Sequence, residues 1–182
     1  MATRSRRVVL AVSVVGLAAA NLAVVGEHPS QESVWWKNFR WTRPRIVIHN
    51  FVSSTSLAPA LRAVNVWNSQ TDLSLPGSSS HTDISLFDGD WGPNGWRGLA
   101  TVWPTSTGEI THCHARLNRY YTSAPSGKTT AWAWEGTYCM ELGHCFGLDH
   151  DLTAGCMNGG AINAGTANTP SSSNVSAINR RY

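Results

Sequence analysis

Two histidines and a glutamate are spaced so closely between Cys139 and Asp151 that they constrain this chain more than any other feature. The segment reads Cys139-Met-Glu-Leu-Gly-His-Cys-Phe-Gly-Leu-Asp-His-Asp151. Residues 140 and 144 are four apart, so on a helix they share one face, a turn from each other. Glu141 stands beside that face. Gly147 is suited to ending the helix in a left-handed conformation. The chain then turns back, so that His150 reaches the point that position 140 and His144 address. Two imidazoles and one carboxylate aimed at a single small volume form the arrangement of a catalytic zinc centre, where three protein ligands leave a fourth position to water.

The rest of the chain supplies elements on which such a helix would pack. Arg45-Ile-Val-Ile-His-Asn-Phe-Val52 follows Pro44 and reads as a buried strand. Ser56 is placed to cap a helix with Pro59 in its first turn, and Leu57, Leu61, Val64 and Trp67, with Ala60 and Ala63, fall at helical spacing. Asp83-Ile-Ser-Leu-Phe87 alternates like a strand, and Gly98 to Val102 and Gly108 to Tyr121 are further strand candidates. A helix is expected from Thr130 to Phe146, and a short last one after Pro170. Trp35, Trp36, Phe39 and Trp41 mark residues 21–44 as a lead-in that packs on the domain. This order implies an α/β (α+β) domain over 45–182, a mixed sheet with packed helices.

The start, with Arg4, Arg6 and Arg7 before an apolar run from Val8 that ends in Ala18-Ala-Ala20, reads as a secretory signal over residues 1–20. An uncleaved membrane anchor is the competing reading, because apolar character continues through Val25. Removing the signal reduces fourteen basic residues to eleven, against eleven acidic ones. The exported protein is then formally neutral, which argues against a nucleic-acid or anionic-membrane surface. Four cysteines, Cys113, Cys139, Cys145 and Cys156, form an even set with no CxxC pair. In an exported protein that indicates two disulfides rather than a thiolate metal site, with three pairings open.

The 140–150 segment resembles the motif HExxHxxGxxH of the metzincin zinc peptidases, the matrixin-like members in particular. Glu141, His144, Gly147 and His150 stand at its general base, second ligand, turn glycine and third ligand; Met140 stands at its first histidine. Cys156-Met157 is similar to the family's Met-turn, a methionine beneath the ligands, and Pro170 to Tyr182 to its closing helix. Gly98, Leu99 and Ala100 resemble the edge strand along which the family lays an extended peptide. The stretch Ala60 to Asn68 followed by Thr71 to Leu75 resembles its first helix and next strand. The resemblance implies a metzincin-like twisted mixed sheet, one zinc ion, a protein or peptide substrate, and disulfides Cys139–Cys156 and Cys113–Cys145. It also implies a secreted endopeptidase, expected to be a monomer, with no nucleic-acid partner and no integral membrane domain after signal cleavage.

Met140 leaves three readings of the centre. His144 and His150 hold zinc with extra waters or weak help from the thioether; a distant group substitutes; or the centre is empty and the domain binds without catalysis. His112 and His114, two apart on a strand candidate, are the distant candidates. His81-Thr-Asp83 with Phe87-Asp-Gly89 is similar to a structural-metal loop of matrixins, though Asp83 equally suits the start of a strand. A pseudo-peptidase that binds peptides is the alternative function. Nine tryptophans raise glycan binding as another, although core packing is their ordinary role.

Overall fold

The computed structural model describes residues 36–152 and 154–182. The expected signal over 1–20, the lead-in up to residue 35 and Trp35 itself lie outside them. Among the described residues, no helix is long and apolar enough to cross a membrane.

The elements run β1 (Ile48–Asn50), α1 (Ser54–Gln70), β2 (Ile84–Gly89), β3 (Gly98–Pro104), β4 (Ile110–Asn118), α2 (Thr130–Cys145), α3 (Gly159–Asn163) and α4 (Ser172–Arg181). The sheet has the order β1-β2-β4-β3. β1, β2 and β4 run parallel, and β3 returns antiparallel along β4. A parallel neighbour requires a crossover, which α1 supplies between β1 and β2. β3 and β4 form a hairpin whose turn contains Gly108 at φ 81°. β3 is therefore an edge strand, with β4 on one side only.

The fold is the mixed α/β arrangement expected, with the helices gathered on one sheet face. Along β4, Cys113, Ala115 and Leu117 are buried while His112, His114 and Arg116 alternate to the other face. Trp67, Tyr138, Leu142 and Phe146 fill the space between sheet and helices. The two most buried tryptophans place their indole N–H groups on backbone carbonyls, Trp67 on Cys139 at 3.0 Å and Trp41 on Cys145 at 2.9 Å. This is how a polar tip is accommodated in a core. Trp134 is also buried. Residues 36–41 lie against the same body: Trp36 bridges Leu148, and Arg40 pairs beside Glu109.

Several local expectations are corrected. The strand read over 45–52 pairs with β2 only at Ile48–Asn50. Its earlier part turns to the 71–75 segment instead, where Ile46 N–H donates to Ser74 O, and that segment makes a single bridge rather than a strand. The N-cap of α1 is Ser53, and Pro59 lies in the second turn. The hydroxyls of both Ser53 and Ser56 donate to the Asp88 carboxylate. That anchor rotates the helix so that Ser56, Pro59, Ala60, Ala63, Val64 and Trp67 face inward. Leu57 and Leu61 are left 38% and 45% exposed. The Asp83 carboxylate accepts from Val47 N–H, pairs with Arg43 and lies 3.3 Å from His81 Nε2, contacts that suit the start of a strand.

Candidate active centre

α2 begins at Thr129, whose hydroxyl oxygen accepts from Trp132 N–H, a standard N-cap. It brings Thr137, Met140, Glu141 and His144 to one cleft of about 450 Å³. Gly147 ends the turn at φ 93°, and a Cβ there would run into Phe39 O. Glycine is thus required twice, for the left-handed backbone and for the close approach. Leu148 N–H then donates to Gly143 O at 3.0 Å, the backbone doubles back, and His150 enters the cleft.

The two histidines meet there. Nδ1 of His144 lies 2.9 Å from Leu148 O, so it carries the proton and Nε2 presents a lone pair. Nε2 of His144 and Nε2 of His150 are 3.0 Å apart. Burial pushes the pKa of His144 down to about 4, which keeps it the neutral imidazole that a metal requires. Tetrahedral zinc at its usual bond lengths holds two nitrogens about 3.3 Å apart, so the pair fits two corners of such a site. The residue before His150, Asp149, pairs with Lys37 at 2.8 Å and accepts the His150 backbone N–H.

Glu141 is 5% exposed. Burial pushes its pKa up to about 8, opposed by a hydrogen bond from the Ala100 backbone. A Cβ on Gly98 would collide with Glu141 Oε1 and Thr137 Cγ2, so the first residue of β3 lies directly against the carboxyl. Leu99, 39% exposed, continues the edge along the cleft. The structure therefore brings Glu141, His144, His150 and the Gly98-Leu99-Ala100 edge to one cleft.

The remaining corner carries Met140, whose Cε lies 3.5 Å from where a Cβ on Gly159 would stand. A thioether is a poor zinc ligand beside imidazole, carboxylate or thiolate. Among the described residues, no cluster of three or more His, Cys, Asp or Glu is disposed to hold a metal. The distant candidates do not supply the missing ligand. His112 and His114 are on the sheet face opposite α2, packed against Trp103, and Nδ1 of His114 lies 2.7 Å from the Arg116 guanidinium. All four cysteines are in disulfides, Cys113–Cys145 and Cys139–Cys156, which is the pairing the resemblance implies. Met157 is buried beneath α2, where its Sδ occupies the space a Cβ on Gly143 would need.

Sequence reasoning missed Lys37, Phe39, Arg97, Ile162 and Asn163, which also line the cleft. Arg97 carried one available signal, its place beside Gly98. Ile162 and Asn163 come from α3, a Gly-Gly segment without helical periodicity, which Asn158 caps by accepting from Gly160 N–H and Ala161 N–H.

No family model and no curated protein matches the sequence. Among solved structures the protein is similar to two of myroilysin. One has a TM-score of 0.44 at 10% identity, over 65% of this sequence and 55% of that one. The other has 0.41 at 12% identity, over 61% and 46%. It is also similar to high choriolytic enzyme 1, a hatching enzyme zinc-protease from the medaka fish Oryzias latipes, with a TM-score of 0.35 at 18% identity, over 64% and 50%. The match spans about half the length of these neighbours.

Proposed function

We propose that this protein is a secreted zinc-dependent endopeptidase of metzincin, matrixin-like type, with Glu141 as general base. The observation that supports it is the approach of the His144 and His150 Nε2 atoms to 3.0 Å, beside a buried carboxyl and a free strand edge. His144 and His150 would hold a zinc ion, which when bound polarises a carbonyl and makes water nucleophilic near neutral pH. Glu141 accepts the proton of the attacking water at its carboxylate and delivers it to the leaving amine. A neighbouring dication favours its ionised form, against the neutral form that burial favours. Gly98, Leu99 and Ala100 pair with an extended peptide substrate through main-chain hydrogen bonds. Two disulfides and no free cysteine among the described residues suit an oxidising compartment, and the protein is expected to act as a monomer.

Met140 favours a second reading, a pseudo-peptidase that keeps the peptide groove without turnover. The test is peptide hydrolysis by the zinc-supplemented protein beside Glu141→Ala. Hydrolysis that falls at least about a hundredfold in the variant, with zinc content unchanged, supports the enzyme. Zinc bound without hydrolysis in the native protein supports the binding domain instead.

A further inference from the structure

Charges around the cleft are unevenly matched. Lys37 and Asp149 neutralise one another at 2.8 Å. Arg97, which lines the same cleft, forms no ion pair with any described residue. It is nonetheless held firmly. Its Nη1 donates to Asn163 Oδ1 at 3.3 Å, and its Nη2 to the carbonyl oxygen of Ser123 and, at 3.0 Å, to the Ser123 hydroxyl. These partners orient the guanidinium and leave its charge uncompensated. Three of the five guanidinium N–H groups are used in this way, so two stay available to a ligand.

The position of Arg97 gives that charge a role. Its neighbour Gly98 lies against Glu141 and Thr137, so Arg97 precedes the strand edge beside the carboxyl and lines the same cleft. Arg97 shares the lining of the cleft with Thr137 and Met140 from α2 and with Ile162 and Asn163 from α3. The carboxyls in the same lining are already engaged: Asp149 pairs with Lys37 at 2.8 Å, and Glu141 accepts from the Ala100 backbone. A half-buried, immobilised cation in such surroundings attracts an anion more strongly than a mobile surface lysine does. A planar fork suits a carboxylate best.

We propose that Arg97 is a specificity-determining residue, and that this pocket selects peptides presenting a carboxylate, either an Asp or Glu side chain or the free carboxyl group that ends a peptide. The inference rests on the reading that the cleft binds peptide along β3. It makes Asn163 and Ser123 positioning residues that hold the guanidinium through Nη1 and Nη2.

The test uses the zinc-supplemented full-length protein and a peptide set in which each position in turn carries Glu, Gln or Leu, every peptide made with a free and an amidated C-terminus. Cleavage is followed for the native protein, and binding by fluorescence anisotropy for native and Glu141→Ala proteins. Glu over Gln at one position by about tenfold or more supports side-chain recognition. Free acid over amide by the same factor supports recognition of the C-terminus. In either case the preference collapses in Arg97→Gln, survives in part in Arg97→Lys and turns towards a Lys-bearing peptide in Arg97→Glu. Equal handling of Glu and Gln and of acid and amide by the native protein overturns the proposal without any variant having to fold. A preference that persists in Arg97→Gln overturns it too. Absence of cleavage with the binding preference intact refutes the hydrolase reading and leaves the role of Arg97 standing.

Discussion

Replacing Glu141 by Gln should remove a specific pH dependence from the stability of the protein when a chelator keeps it metal-free. The carboxyl titrates near 8 in the folded protein against an ordinary value of 4.5. Between those limits the folded state keeps a proton that the unfolded state has released, so stability falls as pH rises, by about 1.4 kcal/mol per unit. His144 acts in the opposite sense. Its folded value is about 4 against 6.5, so the unfolded state takes up the proton first and stability is lost as pH falls from 6.5 towards 4. The two slopes cancel between 4.5 and 6.5, and Glu141 acts alone above that. From pH 6.5 to 8 its share is a loss of about 2 kcal/mol, or about 4–8 °C in Tm for a protein of this size. Glu141→Gln keeps the shape and the neutral hydrogen bonding while abolishing the titration. Urea unfolding of both proteins across pH 5 to 8 measures the difference. Curves that stay parallel above pH 6.5, or a wild type that gains stability there, would refute the reasoning.

Three further outcomes follow from the same geometry. Met140→His places a third imidazole one turn before His144, and should tighten zinc binding about a hundredfold, as a ligand's share of the binding energy of zinc sites implies, with higher peptidase activity; competition against a chromophoric chelator reads it. Gly98→Ala pushes a methyl into Glu141 and Thr137, and should cost about 1–3 kcal/mol in unfolding experiments while lowering hydrolysis. Removing Cys139–Cys156, with a separation of 17 residues, should cost about 3 kcal/mol, and removing Cys113–Cys145, with a separation of 32, about 4 kcal/mol; each double alanine variant is measured by thermal unfolding.

The centre was legible in sequence where one residue had one physical job. Gly147 is required by its φ of 93°, and residues 140, 141 and 144 are neighbours by helical geometry alone, so the site could be drawn before the fold. Places where two segments compete were not legible. The 45–52 stretch has the apolar character of one strand, yet its first half pairs with the 74–76 loop, a long-range choice that local pattern cannot encode. α1 has two possible apolar stripes, and the bonds from Ser53 and Ser56 to Asp88 select the one that leaves Leu57 and Leu61 in solvent. α3 is held by its Asn158 cap and by contacts of Ile162 with Gly136, not by periodicity. Arg97 is a loop arginine in sequence. Its place in the cleft and its bonds to the distant Ser123 and Asn163 are set by tertiary contacts alone.

The most direct measurement is zinc content and affinity for the chelator-stripped protein, beside His144→Ala and His150→Ala. The convergence of the two Nε2 atoms at 3.0 Å predicts one zinc per molecule, lost when either imidazole is removed. A native protein that takes up no zinc, or variants that retain it unchanged, would contradict the account.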